Sequence, residues 1–256
     1  MPVVPRLEHV APVAASGVRG WRPWVAAALD LVFPPICPVC DGLLSAGRRD
    51  PLCGACWEGL ERIAPPWCRC CGAPLGVEGL CGACRRRRPR FAYARAALRY
   101  GGIARDAIHA FKFGGRCQLA APLGDLLAGL GLGALPGAAP DLLVPVPLHP
   151  RRARERGYDQ ALLLTRRLGL AWGLPVGADA LVRTVATLPQ ADLDAEARRR
   201  NVRDAFEVRR PELCAGRHVV LVDDVLTTGA TAGECARALT RAGAAAVGVV
   251  TVARAL

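Results

Sequence analysis

The sequence predicts an α/β protein in which a parallel sheet is flanked by helices and preceded by a small cysteine-rich module. Three observations support this prediction. From residue 91 onward, apolar segments of strand length alternate with segments of helical period, an order typical of parallel strands joined by helices. The segment 219–222 is apolar at every position, as expected for a central strand covered on both faces. Four Cys-x-x-Cys pairs lie within residues 37–84.

The elements of the predicted sheet follow one another along the chain. Strands are expected at residues 94–100, 141–147, 218–222 and 245–253, with a further short segment at 181–184. Helices are expected at residues 103–113, 119–130, 159–170 and 232–242. A polar stretch reaches to residue 203. In open α/β sheets of this kind, ligands bind beyond the carboxyl ends of the strands.

The cysteine pairs predict two structural zinc sites. A Cys-x-x-Cys turn places two thiolates on one side of a zinc ion, and a second turn completes the tetrahedron. The spacing does not say whether neighbouring pairs share an ion or cross. Cys70 is an alternative ligand beside Cys71, and the regular spacing favours Cys71. All-cysteine sites are usually closed to water, which disfavours a catalytic zinc. The expected ligands are Cys37, Cys40, Cys53, Cys56, Cys68, Cys71, Cys81 and Cys84.

The chain divides into three predicted parts. Residues 1–33 form an N-terminal extension that is partly disordered, with a short helix at 24–33. Residues 34–88 form a double zinc ribbon that is too small to fold without metal, and residues 91–256 form the α/β domain. The run Arg-Arg-Arg-Arg-Pro-Arg at 85–90 has two interpretations of equal weight, a nucleic-acid contact or a solvated linker.

Composition and charge restrict the function classes. The 256 residues are 52% hydrophobic and carry a formal net charge of +12, a sign typical of nucleic-acid binding. The charge is a weaker signal than it looks, because Lys112 is the only lysine among 34 basic residues and a bias toward arginine acts along the whole chain. No apolar window reaches the length of a membrane span, and the N-terminus lacks the order of a signal peptide. We therefore expect a cytoplasmic protein whose cysteines stay reduced.

The residues after the apolar segment 219–222 predict a site for a sugar that carries a phosphate. Free amides and the positive dipole end at the start of a helix bind anions, and a glycine lets the backbone approach them. Two adjacent carboxylates can accept hydrogen bonds from neighbouring sugar hydroxyls. The alternative is an ordinary helix cap preceded by loop acids. The residues concerned are Asp223, Asp224, Thr227, Thr228, Gly229, Ala230 and Thr231.

At these residues the chain resembles the type I phosphoribosyltransferases, whose motif has an apolar strand, two acids and Thr-Thr-Gly-x-Thr. The resemblance implies a type I phosphoribosyltransferase-like sheet. It implies that Asp223 and Asp224 hold the ribose hydroxyls of phosphoribosyl pyrophosphate and that residues 227–231 wrap its 5-phosphate. It further implies a magnesium ion that bridges pyrophosphate and sugar oxygens.

Other segments are similar to the ComF family, competence-associated phosphoribosyltransferase homologues with an N-terminal cysteine ribbon. The similarity implies that Leu148 contacts the ligand, and Asp159 replaces the family's usual asparagine near the pyrophosphate loop. The matching segments are Pro-Val-Pro-Leu at 145–148, Arg-Gly-Tyr-Asp-Gln at 156–160, Phe-Lys-Phe-Gly-Gly at 111–115, and the hood residues Arg183, Thr184, Gln190, Arg198, Asn201 and Val202.

The implied reaction is displacement of pyrophosphate at the anomeric carbon, helped by positioning and electrostatics. Asp223 and Asp224 belong to the expected catalytic set. Arg183 and Arg198 are candidates to meet the charge of the pyrophosphate, with an ordinary surface position as the alternative. Lys112 is also a candidate catalytic residue, because a lone lysine in a chain that favours arginine suggests a need for a compact ammonium group. The alternative is an ordinary lysine on a helix surface.

Two functional hypotheses remain open at this stage. In the first, the protein binds phosphoribosyl pyrophosphate and magnesium and acts in DNA uptake and natural transformation, with internalised single-stranded DNA and the uptake machinery as partners. In the second, it is an active phosphoribosyltransferase of nucleotide or small-molecule metabolism with no DNA role. The sequence does not identify the acceptor.

Overall fold

The computed structural model describes residues 35–44, 51–185, 197 and 200–256, so the expected helix at 24–33 lies outside the described residues. The strands are β1 Tyr93–Arg99, β2 Leu142–Pro145, β3 Leu181–Arg183, β4 Phe206–Val208, β5 His218–Leu226 and β6 Ala246–Arg254. The helices are α1 Gly54–Glu58, α2 Gly82–Arg86, α3 Gly102–Phe113, α4 Ala120–Ala128, α5 Pro150–Arg156, α6 Gln160–Trp172, α7 Pro211–Cys214 and α8 Ala230–Arg241. No helix in this part of the chain is long and apolar enough to cross a membrane.

Four parallel strands form the main sheet in the order β1, β6, β5, β2, which confirms the expected parallel sheet. The central strand β5 is longer than the sequence predicted. Its pairing with β2 ends at Val222, but its pairing with β6 continues to Leu226. Asp223 and Asp224 therefore lie inside the last part of β5, beyond the end of β2, rather than in the turn that follows the strand. The reason is that β6 is nine residues long and supplies partners for the whole of β5.

Both faces of the sheet are covered by helices, as the continuous apolar run in β5 predicts. Val220 and Val222 pack in one core with residues of α4 and α6, including Leu164. Val219 and Leu221 pack in a second core with residues of α8. Successive side chains of a strand point to opposite faces, so a strand between two helical layers must be apolar at every position.

Five of the strands and α-helices were not expected from the sequence, namely α1, α2, α5, β4 and α7. None of the residues of α5 is buried, so the helix has no apolar stripe that periodicity could reveal. It begins with Pro150 in its first turn after the cap residue His149, whose Nδ1 accepts from the amide of Arg151 at 3.3 Å. It ends at Gly157, which has a φ of 78°. β4 pairs with β3 in a separate antiparallel ribbon.

The cysteine-rich part packs directly on the sheet. Residues 61–63 run antiparallel to β1, where the amide of Ile63 donates to the carbonyl of Ala97 at 2.9 Å. Leu52 and Leu60 share a core with β1 and α3. Gly72, with a φ of 71°, lies so close to β1 that a Cβ atom there would be 2.4 Å from the carbonyl oxygen of Ala94. The boundaries of the three-part division stay a prediction.

The opposite edge of the sheet is also paired. The amide of Leu143 in β2 donates to the carbonyl of Pro175 at 3.0 Å, and the amide of Gly177 donates to the carbonyl of Leu143 at 2.9 Å. Within the described residues, each outer strand of the sheet thus has a short segment of chain beside it.

Candidate functional site

The eight expected zinc ligands form two clusters of four. The first contains Cys37, Cys40, Cys53 and Cys56, and the second contains Cys68, Cys71, Cys81 and Cys84. Within each cluster the sulfur atoms all lie within 4.8 Å of one another. Neighbouring pairs therefore come together in sequence order and do not cross, which answers the question that the spacing left open. Cys70 belongs to neither cluster.

The geometry of both clusters fits zinc. A tetrahedral ion with zinc–sulfur bonds of about 2.3 Å requires sulfur–sulfur distances of about 3.8 Å. The Sγ atoms of Cys40 and Cys53 are 3.6 Å apart, as are those of Cys71 and Cys81. Burial raises the pKa of the Cys37 thiol, but donating backbone amides outweigh burial and lower it to about 6. Backbone amides lower the pKa of Cys68 to about 6 in the same way, whereas burial and neighbouring thiols raise the pKa values of Cys56 and Cys84. One thiolate of each cluster is thus favoured by the backbone alone, and a bound zinc ion would favour the others.

The two acids at the end of β5 form an ion pair with the lone lysine. The Nζ atom of Lys112, at the end of α3, lies 2.7 Å from Oδ1 of Asp224. The amide of Asp224 donates to Oδ1 of Asp223 at 2.8 Å. Three residues of the predicted catalytic set are thus brought together at the carboxyl end of the sheet.

The electrostatics of this group follow from burial and close contact. Burial and the charge of Asp224 raise the pKa of Asp223 to about 8, although Lys112 acts in the opposite direction. Burial alone lowers the pKa of Lys112, but the charges of Asp224 and Asp223 outweigh it, and the net pKa is raised. The lysine is therefore charged at neutral pH, while Asp223 holds a proton more readily than an ordinary carboxyl group.

The loop after β5 has the form expected of an anion site. Thr227 and Thr228 are exposed, and α8 begins at Ala230, two residues earlier than expected. The cap residue Gly229 has a φ of 74° and provides no side-chain acceptor for the first-turn amides. The hydroxyl of Thr228 lies 3.4 Å from the amide of Ala230. An anion would satisfy these amides and the positive end of the helix dipole. Thr231 lies in the first turn of α8.

Two segments that carried the family resemblance contact each other beside the acids. The hydroxyl of Tyr158 donates to the carbonyl of Phe111, and the guanidinium of Arg156 lies 4.7 Å from the centre of the Phe113 ring. Burial lowers the pKa of Arg156, although the charge of Asp224 opposes the shift. Sequence reasoning recognised this segment but gave Arg156 no role. Its position as the last residue of α5, directed toward the lysine segment, appears only in the folded chain.

Leu148 lies on the turn that follows β2, and Asp159 lies between α5 and α6. Leu148 is half-buried in that turn, which is fixed to the central strand by the amide of Val146 donating to the carbonyl of Val222 at 2.9 Å. Asp159 caps α6 by accepting from the amide of Leu162 at 3.0 Å. Burial raises the pKa of Asp159, while the amides of Leu162 and Leu148 act to lower it. The carboxylate that replaces the usual asparagine is thus held against the turn.

The arginine candidates are placed differently. Arg183 lies in β3, is 8% exposed, and stacks with its guanidinium 5.5 Å from the centre of the Phe206 ring. Burial lowers the pKa of Arg183. Arg198 and Gln190 lie outside the described residues. A catalytic role for either arginine stays a prediction.

Comparison with protein families matches both parts of the chain. The double zinc ribbon domain matches residues 28–85, and the phosphoribosyl transferase domain matches residues 173–256. These matches, together with the parallel sheet and the cysteine clusters, confirm the fold class predicted from the sequence.

The chain is also similar over most of its length to named proteins. It is 36% identical over 237 residues to the DNA utilization protein YhgH of Escherichia coli strain K12, covering 88% of this chain and all of that protein. It is 31% identical to competence protein F of Haemophilus influenzae, covering 86% of this chain and 96% of that protein. It is 26% identical to competence protein ComFC of Bacillus subtilis, covering 82% and 91%.

Solved structures give weaker matches. An allosteric regulatory enzyme of purine biosynthesis matches with a TM-score of 0.35 and 19% identity, over 52% of this chain and 26% of that chain. The adenine phosphoribosyltransferase of Leishmania donovani matches with a TM-score of 0.34 and 20% identity, over 55% of each chain.

Proposed function

The chain belongs to the ComF family of competence-associated proteins, and on that premise we propose that it binds phosphoribosyl pyrophosphate with magnesium and handles single-stranded DNA taken up by the cell. The observation that carries the ligand part is the contact of Lys112 with Asp224 at the end of β5. The DNA part rests on the relatives, which are named for DNA utilization and competence.

In this proposal each group at the sheet edge has one task. Asp223 and Asp224 accept hydrogen bonds from the two ribose hydroxyls, and the first-turn amides of α8 bind the 5-phosphate. Lys112 and Arg156 provide positive charge beside the pyrophosphate. Magnesium, which prefers oxygen ligands and keeps several waters, supplies neutralisation of the pyrophosphate when it is bound. In a transfer step, an acceptor atom uses its lone pair to form a bond to the anomeric carbon, the bond from that carbon to the pyrophosphate oxygen breaks, and pyrophosphate leaves with both bonding electrons.

The cysteine clusters have a structural task in the same proposal. Each holds one zinc ion through four thiolates, and the resulting ribbons are fixed to β1 through residues 61–63. A reducing cytoplasm suits thiolate ligands of this kind, and we place the protein there.

Calorimetric titration of phosphoribosyl pyrophosphate in the presence of magnesium tests the ligand part. The double variant Asp223→Asn/Asp224→Asn should lose magnesium-dependent binding, because neutral amides are poorer acceptors for the hydroxyls and no longer attract the cation. Asp106→Asn is the matched control, since Asp106 lies on the surface of α3 with a half-exposed side chain. Equal affinity of the wild type and the double variant would rule out this site.

The second candidate is transfer of phosphoribose to a small acceptor without a DNA role. The acid pair and the glycine cap of α8 favour it, because a purely structural domain has no need of them. Measuring pyrophosphate release with and without single-stranded DNA separates the two. Pyrophosphate release that requires single-stranded DNA supports the first proposal. Pyrophosphate release that occurs with a nucleobase and is unchanged by DNA supports the second.

A further inference from the structure

We propose that a cleft between the second cysteine cluster and the loop at 227–230 binds the backbone of a single nucleic-acid strand, as a site separate from the acid pair. The proposal rests on the DNA role proposed above and assigns it a surface. The cleft has a volume of about 760 Å³. Seven arginines line it, and we call it the arginine cleft: Arg86, Arg87, Arg88, Arg90, Arg200, Arg203 and Arg254.

The arginine cleft has a strongly positive surface. Glu234 is the one carboxylate among its lining residues. Its two oxygens lie 2.6 Å from Nη1 of Arg90 and 2.8 Å from Nη2 of Arg237, so its charge is already neutralised. Arg254 donates to the carbonyl of Cys71 at 2.8 Å and lies 3.4 Å from the Cys71 sulfur, which offsets thiolate charge.

The arginines in the middle of the run at 85–90 have no acidic partners within the described part of the chain. Arg86, Arg87 and Arg88 are exposed, and no carboxylate of the described residues lies within ion-pair distance of them. Other exposed arginines of the described residues, such as Arg62, Arg154 and Arg166, also have no carboxylate within ion-pair distance, unlike Arg151 and Arg167. The absence of acids therefore does not by itself distinguish the run. What distinguishes Arg86, Arg87 and Arg88 is that they line one cleft together with four further arginines.

The shape and chemistry of the arginine cleft suit a single strand. One wall follows directly from the zinc ligand Cys84 and is therefore held by the metal-binding turn, while the other wall is the loop at 227–230. Single-strand binding proteins use a positive groove that follows the backbone. Guanidinium groups bind phosphates with paired hydrogen bonds and also stack on bases, so arginine can contact both parts of a flexible strand.

The arginine cleft is distinct from the acid pair. Its lining includes Thr227, Thr228 and Gly229 but none of Asp223, Asp224 or Lys112. The loop thus borders the cleft while the acids and the lysine lie outside it.

Fluorescence anisotropy of labelled dT20 with the full chain tests the proposal between 50 and 200 mM NaCl. Each lost phosphate contact lowers the salt slope of log K by about 0.7 for a single strand. Replacing Arg86, Arg87 and Arg88 by Gln should therefore reduce the slope by roughly 2 and the affinity at 0.1 M salt by about 100-fold. The control replaces Arg105, Arg166 and Arg209 by Gln, which removes the same charge outside the cleft. Zinc content of both variants must equal that of the wild type.

The outcomes separate this inference from the proposed function. If the wild type binds dT20 and the variant with Arg86, Arg87 and Arg88 replaced keeps the same affinity and salt slope, the arginine cleft is not the binding site. The proposed DNA role is then unaffected. If the wild type does not bind at the lowest salt, the DNA role fails as well. Loss of phosphoribosyl pyrophosphate affinity in the variant with Arg86, Arg87 and Arg88 replaced would mean that these arginines belong to the ligand site, and would overturn the proposal. Equal displacement by poly-glutamate or by a duplex of the same length would mean that the cleft does not select a single strand, and would overturn the proposal.

Discussion

Replacing Lys112 by Met tests whether the ion pair with Asp224 supports both the fold and the ligand site. Met keeps the length and flexibility of the side chain but removes its charge. Asp223 and Asp224 would then lie next to each other at the end of β5 without the ammonium that balances them. The protein should become less stable, and the pKa of Asp223 should rise further because Lys112 now holds it down.

The size of the effect follows from the geometry. Two unit charges 2.7 Å apart attract each other by about 6 kcal/mol at an effective dielectric constant of about 20. Desolvation of the two ions offsets more than half of this attraction. The side chains of Lys112 and Asp224 are 24% and 10% exposed, so neither is fully removed from water. We expect Lys112→Met to lower the free energy of unfolding by about 2 kcal/mol, or Tm by about 4 to 8 °C.

Urea unfolding at pH 7 of the wild type, Lys112→Met, Asp224→Asn and the double variant measures the coupling directly. Lys112→Arg is the charge-preserving control. It should retain most of the stability while losing affinity for phosphoribosyl pyrophosphate, because a planar guanidinium cannot take the place of a compact ammonium. A coupling energy below about 0.5 kcal/mol, the usual error of additivity, would show that the pair has no energetic role.

Three further predictions concern pH, metal and packing. Because the pKa of Asp223 is raised to about 8, the folded protein binds more protons than the unfolded chain between about pH 4 and 8. Its Tm should therefore fall as pH rises through that window, and Asp223→Asn should flatten the decline; an unchanged slope contradicts the assignment. Removing zinc with a chelator should unfold residues 51–84, seen as rapid amide hydrogen exchange, whereas Cys117→Ser, at an exposed cysteine outside the clusters, should leave zinc content unchanged. Gly248→Ala should cost about 1 to 3 kcal/mol in urea unfolding, since its Cβ would lie 2.3 Å from the Tyr93 ring. Gly233→Ala, whose Cβ meets nothing within 4 Å in α8, should instead gain up to about 1 kcal/mol, and equal effects at the two glycines would refute the packing argument.

The sequence anticipated those features that depend on local chemistry. An apolar run at 219–222 predicts a central strand because a strand between two layers has no polar face, and the structure confirms it. Paired cysteines predict metal clusters because two turns can complete a tetrahedron, although only the folded chain shows which turns meet.

The features that the sequence did not predict depend on contacts between distant segments of the chain. Helix α5 has no buried side chain and therefore no periodic signal, yet it places Arg156 beside Phe113. The contact of Lys112 with Asp224 joins residues from opposite halves of the chain. The length of β5 was misjudged because its last four residues are held by pairing with β6, which no local pattern reports.

The segment at 61–63 has a consequence for solubility as well as for docking. An open outer strand presents unpaired amides and carbonyls to any other strand that it meets, and such edges start aggregation. Here β1 is closed by 61–63, which lies between the two cysteine clusters along the chain, and β2 is closed at 175–177. The metal-binding ribbons thus cover one edge of the sheet and keep other strands from pairing with it. Loss of zinc would expose that edge of the sheet to pairing with further copies of the same chain.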